Sequence, residues 1–506
     1  MICQRSWPRL ARSLALAAPL ALSASIALAD ETTGAFDAEA DIARRIEAIE
    51  RHDNGADGIN AVIIHSLTAG FKAREAAAIG PLNGRSVLVK DNIETAEWAT
   101  TGGSLALGAN FTRRDAPLIA NLRRAGGVVL GKTNLSEWAN IRSSDSTSGW
   151  SAVGGLTRNP HAIDRNACGS SSGSGAAVAA GMAWAAIGTE TNGSITCPAS
   201  INGIVGFKPS VGIVSRRHVI PISATQDTAG PMTRTVYDAA LLLTAMAGED
   251  ESDPVTLTAR RMPDYTAGLD QASLAGVRIG VLRKQAGTRP DVAALFEAAL
   301  ADLERAGAVL VELDYETPGE FWRSTTPVLL FELREEMAAY LESLPGDGLP
   351  RSLADLVAFN RANADRELRW FGQDLFERAL ATTDRAQYEA NLETIRRLTR
   401  EEGIDRLIAQ HDVRLLVAPT TGPAWSIDLI NGDNFAGRIG AGYLPAIAGY
   451  PHLTVPMGAI EGLPIGLSFI GAQWEDHAVL KAGATYERAR TAKLPAPSFK
   501  RWSPAP

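Results

Sequence analysis

Apolar and polar positions alternate with two different periods along this chain, and the changes of period outline its elements. From Asp37 to Glu50 apolar residues recur at helical spacing among charges, and Ala69 to Ile79 follows the same rule. Gly80-Pro-Leu-Asn-Gly84 is a turn, and Ser86 to Val89 then reads as a strand. Ala116 to Arg124 is an amphipathic helix and Gly127 to Leu130 a strand. Gly175 to Ala180 starts a small-residue helix, and Ala183 to Ile187 is a strand. Strands that alternate with helices predict an α/β layered fold. From about residue 291 to 409 the pattern is helical, with leucines among many charges, which predicts a helical insertion. Leu415 to Pro419, Leu453 to Pro456 and Leu463 to Ile470 return to short buried strands. No linker or repeat interrupts this pattern, so residues 30–506 read as a single domain. The proline-rich stretch after Leu494 reads as a surface strap.

The first 29 residues follow another rule. Arg5, Arg9 and Arg12 precede an apolar run from Leu14 to Ala27, and Ala27-Leu-Ala29 offers small residues before Asp30. This is the pattern of a cleaved secretory signal, and it places the mature chain in the periplasm or outside the cell. No cysteine follows the apolar run, which argues against a lipid anchor. No later segment is long and apolar enough to predict a membrane span. The formal net charge of −8 lacks the basic field of a nucleic-acid binder. Beyond Cys3 the chain has two cysteines, Cys168 and Cys197, each within three residues of a candidate serine. Two outcomes stay open, a disulfide in an oxidising compartment or two buried free thiols.

Two motifs mislead. Gly126-Gly-Val-Val-Leu-Gly-Lys132-Thr133 matches the phosphate-binding P-loop in letters, but its middle is itself a strand and a helix precedes it. Lys132 therefore reads as a structural lysine at a strand end. Gly169-Ser-Ser171-Ser-Gly173 matches the nucleophile elbow of α/β-hydrolases, which makes Ser171 a candidate esterase nucleophile. An elbow needs a strand feeding the turn, and the preceding Asn159 to Ala167 reads as loop. The seven histidines show no metal-ligand spacing, and the two cysteines form no zinc motif.

The most informative residues are Cys168-Gly-Ser-Ser-Ser-Gly-Ser-Gly175, Gly188-Thr-Glu-Thr-Asn-Gly-Ser194 and the strand end Val87-Leu-Val-Lys90. A serine hydroxyl is a poor nucleophile until a base accepts its proton. A lysine serves as that base only when burial keeps it neutral. Apolar or small residues precede Lys90, which suits a desolvated amine.

With Ile195-Thr-Cys-Pro198, Val205-Gly-Phe-Lys-Pro209 and Gln226-Asp-Thr-Ala-Gly-Pro-Met232 added, the chain resembles the amidase signature family. The likeness runs from about Arg44 to Phe499 and is greatest in its bacterial peptide-amidase branch. The resemblance implies a three-layer α/β/α fold with a large mixed central sheet covered by helices. It implies Ser194 as nucleophile, Ser170 as bridging serine after a cis peptide bond at Gly169, and Lys90 as terminal base. It also implies an oxyanion hole built by Thr191, Asn192, Gly193 and Ser194, with Ser171 in support. The chemistry implied is hydrolysis of linear carboxamides, peptide C-terminal amides foremost, to acid and ammonia. It calls for no cofactor and no metal. The substrate is a small-molecule or peptide amide, with no nucleic acid among the partners. Many relatives carry an arginine two or three residues beyond the nucleophile, where this chain has Thr196 and Cys197; that favours neutral amides. The competing reading is the amidase component of a tRNA-dependent amidotransferase, a cytoplasmic assembly against which the export signal argues. The loop from Ser143 to Ser151, with Trp138 and Trp150 beside it, either shapes the cleft or is a surface loop over packed tryptophans.

Overall fold

The computed structural model describes residues 36–435 and 439–504; the predicted signal peptide lies outside the described residues. Eleven strands build one sheet. They are β1 (Val62–His65), β2 (Ser86–Lys90), β3 (Val128–Thr133), β4 (Ala185–Glu190), β5 (Val205–Lys208), β6 (Thr228–Thr233), β7 (Arg278–Val281), β8 (Val309–Glu312), β9 (Leu415–Pro419), β10 (His452–Ile460) and β11 (Leu463–Ile470). Their spatial order is β1-β3-β2-β4-β6-β5-β10-β11-β9-β7-β8. β2 runs parallel to β3 and β4, and β7 runs parallel to β8 and β9. The other pairings are antiparallel, so the sheet is mixed, as expected.

The helices used below are α1 (Ala38–His52), α2 (Ala69–Ala76), α3 (Pro117–Arg124), α4 (Ser172–Ala179), α5 (Thr196–Ile201), α6 (Val236–Met246), α7 (Pro290–Arg305) and α8 (Gly319–Glu342). The two-residue period of the strands sorts side chains between the faces of the sheet. Val87, Val89, Val129, Ala185 and Ile187 join one apolar cluster with α3, α6, α7 and the helix Asp476–Ala489. Leu88 and Lys90 belong to the alternate set, and α4 packs across β2, β3, β4 and β6. Both faces are covered, which is why the central strands are apolar almost throughout.

Several segments differ from their sequence patterns. The strand expected at Ala183 to Ile187 runs on to Glu190, because β6 pairs with it as far as Thr228 opposite Glu190. The expected helical stretch 291–409 is interrupted by β8, which pairs parallel to β7 at the sheet edge, while α7 packs into the main core. The helical addition proper starts at α8. Ala162–Asn166 is a strand paired with Arg158–Asn159 in a separate small sheet, where the sequence reads as loop. Trp138 packs edge-on against Phe376 and Trp150 against Phe371, so both tryptophans are buried packing residues. The tail is a strap, with the Ser498 and Phe499 N–H groups donating to the Pro160 carbonyl and Phe499 stacked on His52.

Buried charge ties the helical addition to the segments around Leu105 and Glu137–Arg142. The Arg142 guanidinium meets Glu137 at 2.9 Å with both side chains fully buried, and it lies over the Phe371 ring at 4.3 Å. Glu367 accepts from the Leu105 N–H at 2.7 Å. Removing one member of such a pair strands the other charge in an apolar medium, which costs about 3–5 kcal/mol. Arg142→Met is therefore expected to lower unfolding stability by about that amount in urea denaturation, with little change in the slope of the transition.

Candidate active site

Three backbone segments converge at the end of β2. The register of β2 on β4 sets Val89 opposite Ile187, which carries Lys90 level with the strand end Gly188–Glu190. The loop Cys168–Ser171 enters α4 beside it. The turn Thr191–Ser194 leaves β4 and enters α5.

Lys90 is fully buried, and three oxygens surround its Nζ. Ser170 Oγ lies at 2.8 Å, Thr189 Oγ1 at 2.8 Å and the Thr189 carbonyl at 3.2 Å. Loss of hydration pulls the ammonium down from the ordinary 10.5 to about 7, against the opposing pull of Asp227 and Glu190. Burial thus brings the amine's proton loss toward neutral pH, and no carboxylate is in contact with it.

Ser170 follows a cis peptide bond from Gly169. Its carbonyl accepts from the Ser136 N–H at 3.0 Å. A side chain at Gly169 has no room, since a Cβ there would stand 2.1 Å from Ser136 Oγ. Ser171 is fully buried, donates to the Thr189 carbonyl at 3.1 Å and accepts the Thr189 N–H at 3.2 Å. Its hydroxyl braces the strand end, and this use conflicts with a nucleophile elbow. The Ser171 N–H donates to the Ser194 carbonyl at 3.1 Å, which brings the two serine turns side by side.

Ser194 is half-buried, and among the described residues its hydroxyl has no hydrogen-bond partner. The turn before it is held open from both ends. Glu190 accepts the Ile195 N–H at 2.8 Å and the Thr196 N–H at 3.0 Å. Thr191 donates to Asp227 at 2.5 Å, and Asp227 also accepts the Ile222 and Ser223 N–H groups at 2.7 and 2.9 Å. Between these anchors the N–H groups of Asn192, Gly193 and Ser194 make no hydrogen bond to the described residues. Gly193 has φ +87°, the left-handed conformation that glycine adopts at least cost.

Cys168 and Cys197 are joined as a disulfide with Cα atoms 6.1 Å apart. A cavity of about 180 Å³ opens onto the site, with Ser170, Thr189, Thr191, Ile222, Asp227 and Tyr340 among its lining. Lys132, the P-loop look-alike, is buried on β3, donates to the Ile93 carbonyl at 2.5 Å and pairs with Asp91 at 3.2 Å. That is a structural use, as its pattern predicts. Among the described residues no group of three or more His, Cys, Asp or Glu side chains is placed to hold a metal ion. Thr189, Asn92, Glu190 and Asp227 are site residues that sequence reasoning did not single out. The signal available for Glu190 was a lone carboxylate on a strand otherwise apolar or small, directly before a Gly-Ser turn in need of acceptors.

A buried amine beside two serine turns suits amide hydrolysis, and the comparisons agree that the chain is an amide-hydrolysing enzyme. The amidase family model matches residues 41–480, and the chain belongs to that family. Among solved structures, native peptide amidase from Stenotrophomonas maltophilia is 46% identical with a TM-score of 0.86, covering 92% of this chain and 96% of that one. Peptide amidase in complex with the competitive inhibitor chymostatin is 47% identical with a TM-score of 0.87, covering 91% and 96%. A putative amidase of Arthroderma benhamiae is 35% identical over 460 residues, 84% of this chain and 73% of that protein. A glutamyl-tRNA(Gln) amidotransferase component of Pseudomonas putida is 32% identical over 479 residues, 91% and 95% of the two chains.

The packing around Gly169 yields a direct test. Gly169→Ala forces the Ser136 hydroxyl aside and shifts Ser170, at a cost of about 1–3 kcal/mol in stability. Amide hydrolysis is expected to fall by about tenfold or more, since small misplacements of reacting groups carry penalties of that order. A melting curve and a kcat measurement on the same preparation check both halves.

Proposed function

We propose that the chain is an exported amidohydrolase that cleaves linear, neutral carboxamides, peptide C-terminal amides foremost, to carboxylic acid and ammonia. The observation that carries this reading is a fully buried Lys90 amine 2.8 Å from the Ser170 hydroxyl. Both Thr189 oxygens already accept, from Asn92 at 3.0 Å and from Ser171 at 3.1 Å, and they take the two N–H bonds of a neutral amine. The lone pair is left for the Ser170 proton. Ser170 in turn takes the proton of Ser194 as Ser194 attacks the amide carbon. The free N–H groups of the 192–194 turn suit the oxyanion that forms, and one such donor is worth about 3–4 kcal/mol. The relay then runs backwards and protonates the leaving nitrogen, ammonia departs, and water opens the acyl-enzyme.

Similarity of 46–47% identity to peptide amidase supports the peptide-amide substrate class, as does the inhibitor complex of that relative. Thr196 and Cys197 stand at positions where the resemblance places an arginine in many relatives, and the lack of that cation supports neutral amides. The basic, apolar and small-residue order of positions 5–29 supports export, and a disulfide suits an oxidising compartment. The tRNA-amidotransferase reading rests on the weaker 32% identity.

Ser194→Ala is expected to abolish ammonia release from a panel of peptide, amino-acid and aryl amides while the melting temperature stays near that of the parent. Hydroxylamine is expected to capture the acyl group as a hydroxamate; acid as the sole product in its presence would contradict an acyl-enzyme. The active form is the deprotonated amine, so kcat/KM should rise with pH through an apparent midpoint near 7, the value burial gives Lys90. A profile flat from about pH 5.5 to 9 would remove Lys90 as base.

A further inference from the structure

The two serine turns are joined by more than the lysine. The Ser171 N–H to Ser194 carbonyl bond of 3.1 Å links them on one side of Ser170. The Cys168–Cys197 disulfide links them on the other, two residues before Ser170 and three after Ser194. Each half-cystine is fixed to its own turn. The Cys168 N–H donates to Asn166 Oδ1 at 2.7 Å, and the Cys168 carbonyl accepts the Ser172 hydroxyl at 2.5 Å. The Cys197 N–H donates to the Gly193 carbonyl at 2.8 Å, so any movement of Cys197 is passed to the turn whose N–H groups are free. Cys168 has φ +54°, in the left-handed region, which directs its side chain away from the course of a regular strand. Cys168 is buried among Ala162, Ile201, Trp425 and Leu463, whereas Cys197 is half-buried at the edge of that cluster.

We propose that this disulfide is a positioning element of the active site, and that its reduction slows the enzyme without unfolding it. The inference rests on Ser194 as nucleophile. With the crosslink closed, Ser170 and Ser194 are bracketed by one covalent and one hydrogen-bonded tie. With it open, the direct tie between Ser171 and Ser194 is a single backbone hydrogen bond, and each turn otherwise rests on its own anchors, Ser136 for the Ser170 carbonyl and Glu190 and Asp227 for the Ser194 turn, with Asn202 bridging the Ala167 and Pro198 carbonyls. Lys90, Thr189 and the sheet are untouched, so the base stays in place while the nucleophile turn gains freedom. Reduction by a trialkylphosphine breaks the S–S bond, oxidises phosphorus by two electrons to the phosphine oxide with oxygen from water, and leaves two thiols. The role is thus redox-dependent: full activity in an oxidising compartment, diminished activity where thiols are kept reduced.

The test compares oxidised and phosphine-reduced protein, along with the Cys168→Ser/Cys197→Ser double variant. It uses two readouts, the rate at which a fluorophosphonate probe labels Ser194 and the kcat and KM for a peptide amide. Near-UV circular dichroism reports folding, and alkylation of intact protein followed by mass analysis reports the thiols. Reduction is expected to slow labelling and kcat by about tenfold or more and to move KM by less than about twofold, with the folded spectrum retained. The double variant should match the reduced protein and ignore phosphine. A merely structural crosslink would lower the melting temperature and leave the labelling rate alone. Equal labelling in both states, free thiols in the air-oxidised protein, or unfolding on reduction would each overturn the proposal. Labelling of Ser194 without release of any amide would sink the substrate reading alone, and the labelling ratio would still decide this one. Absence of labelling in the oxidised protein would overturn both.

Discussion

The chemistry of this site depends on where a single amine loses its water. Lys90 ends a strand that is buried on both sides of the sheet, and nothing around its Nζ carries a full opposite charge in contact. Neutral oxygens of Ser170 and Thr189 replace the hydration shell. They stabilise an ammonium less than water does, which is why burial brings its affinity for a proton down toward neutral pH. A carboxylate in contact opposes this loss. Lys132, one strand away, makes the comparison: equally buried, its amine is also pulled down by burial, but Asp91 at 3.2 Å opposes that pull and takes the lysine as a partner in the fold. Two lysines at neighbouring strand ends thus have different uses because one has a counter-ion and the other has hydroxyls.

The remainder of the fold keeps that environment intact. β2 lies inside the sheet, between β3 and β4, so Lys90 reaches the site from a rigid strand while the serines come from turns. Glu190 accepts the Ile195 and Thr196 N–H groups just after the Ser194 turn, Asp227 accepts the Thr191 hydroxyl at its start, and the N–H groups within it stay unpaired among the described residues. Loops that carry reacting groups need such external anchors, because a turn lacks a ladder of its own.

Much of this was legible in the sequence, and the failures have physical causes. Lys90, Ser170, Ser171 and Ser194 could be picked out because glycine and serine turns at fixed spacing from an apolar strand end in lysine are an unusual conjunction. The layered α/β class followed from alternating periods. β6 was missed because Thr-Ala-Gly-Pro-Met-Thr, with a proline opposite Ile187 in mid-sheet, carries turn chemistry that long-range pairing overrides. β8 was missed because four residues at a sheet edge, half of them exposed, have no strong period amid helices. The partners of Lys90 were missed for a different reason. Thr189 and Asn92 become functional only through contacts across strands, and a linear pattern holds no record of which strand end lies beside which.

The claim at the centre is a buried lysine that is substantially neutral at physiological pH. It can be observed without turnover by labelling lysine ε-carbons with 13C and following their shifts with pH, with Lys90→Met assigning the resonance. The account predicts a Lys90 midpoint near 7, set apart from the exposed lysines. A Lys90 resonance titrating at the ordinary lysine value of 10.5 would contradict it.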